Sequence, residues 1–227
     1  MDYAIGLYDK TRSKIEIVQS IINELPKPPV SAYFLSDSWY TSHKLIDNFA
    51  QKGFRTIGAL RTNRIIYPNQ TRQKAKQFAP GICKDDPHVS LVTVRQRSYY
   101  VCRYQGKMNG YDDAVVLLNY PEKSFGDANA LRVFISTQTE LSAQEILDIY
   151  VNRWNIEVFF RSCKQKLAFD KCQLRKKKGI TRMWLILSFV HFLCCTIGGR
   201  IGKFDEGFHY FRNCVLQAAL VQDTFSL

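Results

Sequence analysis

Two acidic residues of this chain sit where acids do chemistry. Asp37, in the stretch FLSDSWYTS, follows the apolar run 31–35, and the carboxyl end of a strand is where an open α/β sheet places its ligand crevice. Glu157 lies in YVNRWNIEVFFRSCKQK, residues 150–166. On a helix turning about 100° per residue, Tyr150, Arg153, Glu157 and Lys164 fall within about 60° of one another, as one polar stripe. Ile146, Leu147, Trp154, Ile156 and Phe160 flank it, so the pattern predicts a largely buried helix with a carboxylate set into it. A carboxylate in apolar surroundings needs a cation, a metal or a raised pKa.

An Asp at a strand end and a Glu on a later helix, brought together by the fold, form a site for Mg²⁺ or Mn²⁺, hard ions that take oxygen ligands and keep positions open for water and phosphate. Two such ions activate the attacking oxygen and stabilise the leaving one in phosphodiester chemistry. Tyr150, Arg153, Arg161 and Lys164 would then serve phosphate oxygens. Each acid also has a plainer reading. Asp37 among Ser36, Ser38, Thr41 and Ser42 fits a turn former or helix cap, and Glu157 fits an ion pair with Arg153 or Arg161 one turn away.

The balance of charge agrees with a polyanionic partner. Thirty-two Lys and Arg against 20 Asp and Glu give +12 over 227 residues, which favours nucleic acid first and an acidic membrane surface second. The run LRKKKGITR puts Arg175, Lys176, Lys177, Lys178 and Arg182 just after the Glu157 helix, where contacts to a DNA backbone would be sequence-independent and salt-sensitive. RTNR, residues 61–64, is a second basic cluster. The seven cysteines show no spacing suited to zinc and read as reduced, buried thiols of a cytoplasmic protein. MWLILSFVHFLCCTIGG, 183–199, is short for a membrane span and carries His191 near its middle, so a buried core helix is expected and no membrane partner. No secretory signal is visible in MDYAIGLYDKTRSK.

Elements that could position these residues are readable along the chain. Strands are expected over 2–9, 31–35 and 54–60, with helices over 11–25 and 41–52 between them, the alternation of an α/β sheet. Residues 61–140 are β-rich and punctuated by turns, and helices are expected over 142–167, 180–197 and 207–222. The expected organisation is a partial core over 1–60, a β-rich insertion over 61–140, helices completing the core over 141–200 and a helical tail over 201–227.

The spacing Tyr150-x2-Arg153-x3-Glu157-x6-Lys164 and the Asp37 segment together resemble bacterial insertion-sequence transposases of the DDE class with their Y-R-E-K signature. The resemblance covers roughly residues 31–195. It implies an RNase H-like fold, a mixed sheet flanked by helices with a β-rich insertion before the last catalytic helix. It further implies metal-dependent cleavage and strand transfer at transposon ends, with double-stranded DNA as partner and a homodimer pairing two ends. By match of motif, Asp37 is the second and Glu157 the third metal-binding carboxylate, and Tyr150, Arg153 and Lys164 contact DNA. The RNase H-like order places two further strands before this point. The first aspartate therefore has no counterpart, Asp2 and Asp9 lie on the wrong strand, and a truncated transposase is expected.

Overall fold

The computed structural model describes residues 11–197 and 203–224, the side chains of 218–224 apart. The strand expected over 2–9, with Asp2 and Asp9, lies outside them. The chain divides into two compact units, Lys10–Arg153 and one containing Trp154–Leu227.

The first unit is built on strand–helix–strand logic. Helix α1, Lys14–Glu24, starts at Ser13; the Ser13 hydroxyl accepts from Glu16 N–H at 3.2 Å while the Glu16 carboxylate accepts from Ser13 N–H at 2.7 Å, which satisfies two donors that a helix start leaves open. Its Ile22 is buried with Leu45 and Phe49 of α2, His43–Gln51. Strand β1, Ala32–Ser36, and β2, Phe54–Leu60, flank α2 in sequence and pair in parallel, Ser36 opposite Gly58. These elements fall within a residue or two of the expected ones, except for the shortened ends of α1 and α2.

The β-rich stretch supplies six more strands: β3 Ile65–Ile66, β4 Gln73–Lys74, β5 Val89–Val94, β6 Arg97–Met108, β7 Tyr111–Pro121 and β8 Arg132–Ser136. They are antiparallel to one another and continue the same sheet, in the order β1-β2-β8-β7-β6-β3-β4 with β5 also on β6. The result is a mixed eight-stranded sheet flanked by helices, consistent with an RNase H-like fold.

β7 lies inside this sheet, and residues 114–120 are all buried. A strand covered on both faces reads as a continuous apolar run rather than an alternating one, as in AVVLLNY. Its side chains still alternate. Val115 and Leu117 join Ile57 and the Ile146 and Leu147 of helix α4, Ala143–Tyr150, on one face. Val116, Leu118 and Tyr120 join Leu60, Ile135 and Ile46 of α2 on the other. Each fully buried Val or Leu contributes about 1.5–3 kcal/mol, so this strand anchors both layers. α4 begins at Ser142, the first residue of the expected helix, and Glu145 completes its capping box.

The helix expected over 142–167 is interrupted. After α4 a 3-10 turn, Val151–Arg153, intervenes before α5, Trp154–Lys166. That turn advances about 120° per residue, so the four polar residues do not share one continuous helix. Nor is α5 largely buried: Cys163 is its one buried residue, and Trp154, Ile156 and Phe160 are exposed.

In the second unit α5 is joined by α6, Lys177–Thr196, and α7, Phe204–Thr224. α6 is long and apolar enough to cross a membrane, and it is not the buried core helix expected, since Ser188 and Cys194 are its only buried residues. Among the described residues it packs along one side. There Trp184 lies against Phe159 and Phe169, His191 lies against Phe159 and Phe204, and Gly207 sits so near the Cys194 carbonyl that a methyl group would overlap it. On the other side Leu185, Ile186 and Phe189 are 51–62% exposed. Lys166 pairs with Asp205 at 2.7 Å and holds that carboxyl below its usual range.

All seven cysteines are free. Burial pushes the thiols of Cys102 and Cys163 up to about 11, which makes them inert at neutral pH. Cys83 and Cys214 are exposed, against the expectation of buried thiols throughout, because they lie on a loop and on an outer helix face.

Two buried hydroxyls on sheet strands, those of Thr56 and Tyr111, meet no hydrogen-bond partner among the described residues. Tyr111 stacks on His43 with ring centroids 4.5 Å apart, and its buried hydroxyl meets no hydrogen-bond partner; burial also raises its pKa. An unpaired buried hydroxyl costs about 1–3 kcal/mol. Tyr111→Phe, which keeps the stack, is expected to leave stability unchanged or raise it by up to about 1 kcal/mol, as chemical denaturation would measure.

Candidate active site

The carboxyl end of β1 is organised by a chain of hydrogen bonds. Thr41, buried like Ser36, donates its hydroxyl to the Asp37 carbonyl at 2.7 Å. Its single proton being used there, the Ser36 hydroxyl is the donor in the 2.8 Å bond between Ser36 Oγ and Thr41 Oγ1. Tyr40 and Thr41 N–H groups reach the same Asp37 carbonyl, both at 3.1 Å. The backbone thus folds back on itself directly after the strand.

The Asp37 side chain takes part in that turn with one oxygen. Oδ1 accepts from the N–H groups of Trp39 at 2.9 Å and Tyr40 at 3.2 Å. Oδ2 accepts no hydrogen bond from the described residues. The turn uses one carboxylate oxygen and leaves the other without a hydrogen bond from the described residues, so the turn-forming and the chemical readings of Asp37 are compatible.

Three further residues hold this strand end. Gly58 lies opposite Ser36, and a Cβ there would stand 2.6 Å from both the Ser36 and Thr41 hydroxyl oxygens. Arg64 donates to the Thr41 carbonyl at 3.0 Å. Tyr150 donates its hydroxyl to the Ser36 carbonyl at 3.3 Å, its ring packed edge-on against Phe134 and with the Arg153 guanidinium 5.9 Å from its centre.

Of the residues predicted from sequence, Asp37, Tyr150 and Arg153 are thus brought to one end of the sheet within the Lys10–Arg153 unit. Tyr150 bonds to the peptide unit that adjoins Asp37, although it stands 114 positions from Ser36 in the chain. Glu157, Arg161 and Lys164 lie on α5 of the second unit, Glu157 half-buried and both cations exposed. Arg175 and Lys176 precede α6, whereas Lys177 and Lys178 form its first turn rather than part of a loop. All four are exposed.

Gly58 and Arg64 were not singled out as site residues by sequence reasoning. Gly58 did carry a signal, because a glycine inside the apolar strand FRTIGAL marks close approach of a neighbour. Arg64 belongs to the RTNR cluster, but the carbonyl it would bind is not readable from its type.

Among the described residues no three His, Cys, Asp or Glu side chains cluster as a ready metal site. The Asp37 carboxylate, with Oδ2 uncommitted, is the kind of hard oxygen donor that Mg²⁺ and Mn²⁺ take. The donor chemistry fits a divalent ion at this point of the sheet.

Residues 3–193 match the family of transposase DDE domains. The chain belongs to that family, which uses divalent metals and takes DNA as its substrate. Among curated proteins no match is found.

The packing around Gly58 gives a direct check of the strand end. Gly58→Ala is expected to break the Ser36–Thr41 hydrogen bond and destabilise the fold by about 1–3 kcal/mol, the usual range for overpacking a tight interior, measured as a lowered denaturation midpoint.

Proposed function

We propose that this chain is a DDE transposase that cleaves DNA at insertion-sequence ends and joins them to target DNA, with Asp37 and Glu157 as ligands of divalent metal ions. The observation that carries the reading is the end of β1, where the Asp37 carboxylate is held by two backbone N–H groups and the signature tyrosine, Tyr150, is bonded to the adjoining carbonyl. Mg²⁺ or Mn²⁺ bound there supplies an activated oxygen nucleophile and stabilises the leaving oxygen. Asp37 offers Oδ2 while Oδ1 keeps its place in the turn. Glu157 supplies a second carboxylate, and no further one is assigned among the described residues.

The cations have separate tasks in this reading. Arg153, Arg161 and Lys164 pair with phosphate oxygens near the cleaved bond, Arg153 through the planar fork that matches phosphate. Arg175, Lys176, Lys177 and Lys178 hold the DNA backbone farther along. Support for that second task comes from α6 itself. Cations in a first helical turn oppose the helix dipole at about 0.3–1 kcal/mol each, so Lys177 and Lys178 are poorly placed for stability and well placed for an anion.

Asp37→Asn and Glu157→Gln, each made singly, are expected to lower Mn²⁺-dependent cleavage of transposon-end DNA on the order of a thousand-fold while sparing salt-sensitive DNA binding. Cleavage that survives either change rejects the assignment. A wild-type chain that binds DNA and cuts none would instead be a DNA-binding member of the family without transposase activity.

Joint replacement of Lys177 and Lys178 by Gln should act oppositely on two readouts. Thermal stability is expected to rise slightly as the unfavourable dipole interactions disappear. DNA affinity should fall, and the slope of log affinity against log salt should shrink by roughly 0.9 for each phosphate that is no longer neutralised.

A further inference from the structure

Beside the Asp37 turn lies a pocket of about 410 Å³, inside the range of about 300–1,000 Å³ typical of sites for small ligands. Its lining includes Trp39, Arg61, Asn63, Arg64 and Asn109, with Ser42 at the N-terminus of α2, and no acidic residue. Trp39 is 72% exposed, although tryptophan is highly buried on average. The Arg61 guanidinium stands 5.3 Å from the centre of its ring and Lys14 Nζ 6.0 Å from it. Arg61 forms no side-chain hydrogen bond or ion pair with the described residues, so its donors are unused. Ser42 caps α2 without making a capping hydrogen bond, and its hydroxyl meets no partner.

An exposed indole, an unused guanidinium and two side-chain amides make a recognisable set. An aromatic face takes a nucleobase by stacking, a guanidinium takes a phosphate, and amides pair with base edges. Base-paired nucleotides in a duplex already have both faces stacked on their neighbours. A terminal pair exposes one face but is tied to its partner base, whereas an unpaired nucleotide can swing its base onto Trp39.

We propose that this pocket is a subsite for an unpaired nucleotide of the DNA strand, with its base on Trp39 and its phosphate on Arg61. The inference rests on the reading of Asp37 as an active-site residue. The chain direction supports it: Ser38 and Trp39 follow Asp37 immediately, and the Trp39 N–H is itself bonded to the Asp37 carboxylate. A nucleotide stacked on Trp39 would therefore sit next to the phosphate that Asp37 serves. The surface cation–π interactions of Trp39 in the free chain are weak beside base stacking, so Arg61 can leave the ring for a phosphate.

The test is binding without metal, by fluorescence anisotropy, of a blunt duplex and of the same duplex carrying a short unpaired overhang. The wild-type chain is expected to prefer the overhang on the order of ten-fold. Trp39→Ala and Arg61→Ala should each bring that ratio toward one, and Trp39→Phe should keep part of it. A wild-type chain without preference, or a preference that survives Trp39→Ala, overturns the subsite. Loss of an exposed side chain leaves no cavity, and Arg61→Ala tests the same pocket independently. Failure of the two readings looks different. Cleavage surviving Asp37→Asn with a Trp39-dependent ratio removes the active-site assignment alone, whereas cleavage abolished by Asp37→Asn with a ratio indifferent to Trp39 removes the subsite alone.

Discussion

The end of β1 depends on one hydroxyl pair. Ser36 donates to Thr41, Thr41 donates to the Asp37 carbonyl, and both oxygens fill the space that a side chain on Gly58 would need. Hydroxyls buried in a sheet are costly unless paired, and here each satisfies the other while closing the turn. The direction of the chain after the strand, and with it the pose of Asp37, follows from that pairing. Arg64 reaches into the same turn, and Tyr150 into the strand that leads to it. Gly58, Arg64 and Tyr150, from three separate segments, thus converge on the stretch Ser36–Thr41.

Such convergence requires a platform that does not move. β7 supplies it, with residues 114–120 buried and two cores packed on its two faces. α4 is fastened by Ile146 and Leu147 to one of those cores, which fixes where its last residue, Tyr150, falls. Helix propensity has little to do with this placement, since an eight-residue helix is marginal alone. Tertiary burial holds the helix, and the helix delivers the tyrosine.

Much of the first unit was legible from sequence because its signals are local. Apolar runs bounded by turn formers gave β1 and β2, and the helical pattern beginning at residue 142 gave the start of α4. The identity of the acid at the strand end was legible for the same reason. The hidden parts are those set by partners far away in the chain. Nothing in IYVNRW marks the 3-10 turn that divides the helix, because no proline or glycine interrupts the pattern. The apolar residues of α5 and α6 report a preference for burial, but not whether anything covers them, and Ile156, Leu185 and Phe189 are exposed. Periodicity records what a residue favours; packing decides what it receives.

A carboxylate has two oxygens, and the turn at Asp37 uses one of them. Oδ1 is consumed by the N–H groups of Trp39 and Tyr40, as in any Asp-initiated turn. Oδ2 contributes nothing to that turn. An asparagine would reproduce the first oxygen and its two hydrogen bonds, and would remove only the negative charge and the second acceptor. An alanine would remove both and let the turn relax. The asymmetry means that the residue type at this position is over-determined for folding, because Asn or Ser would serve a turn nearly as well. In the proposed function that second oxygen is the one offered to a hard cation, which takes oxygen donors of this kind.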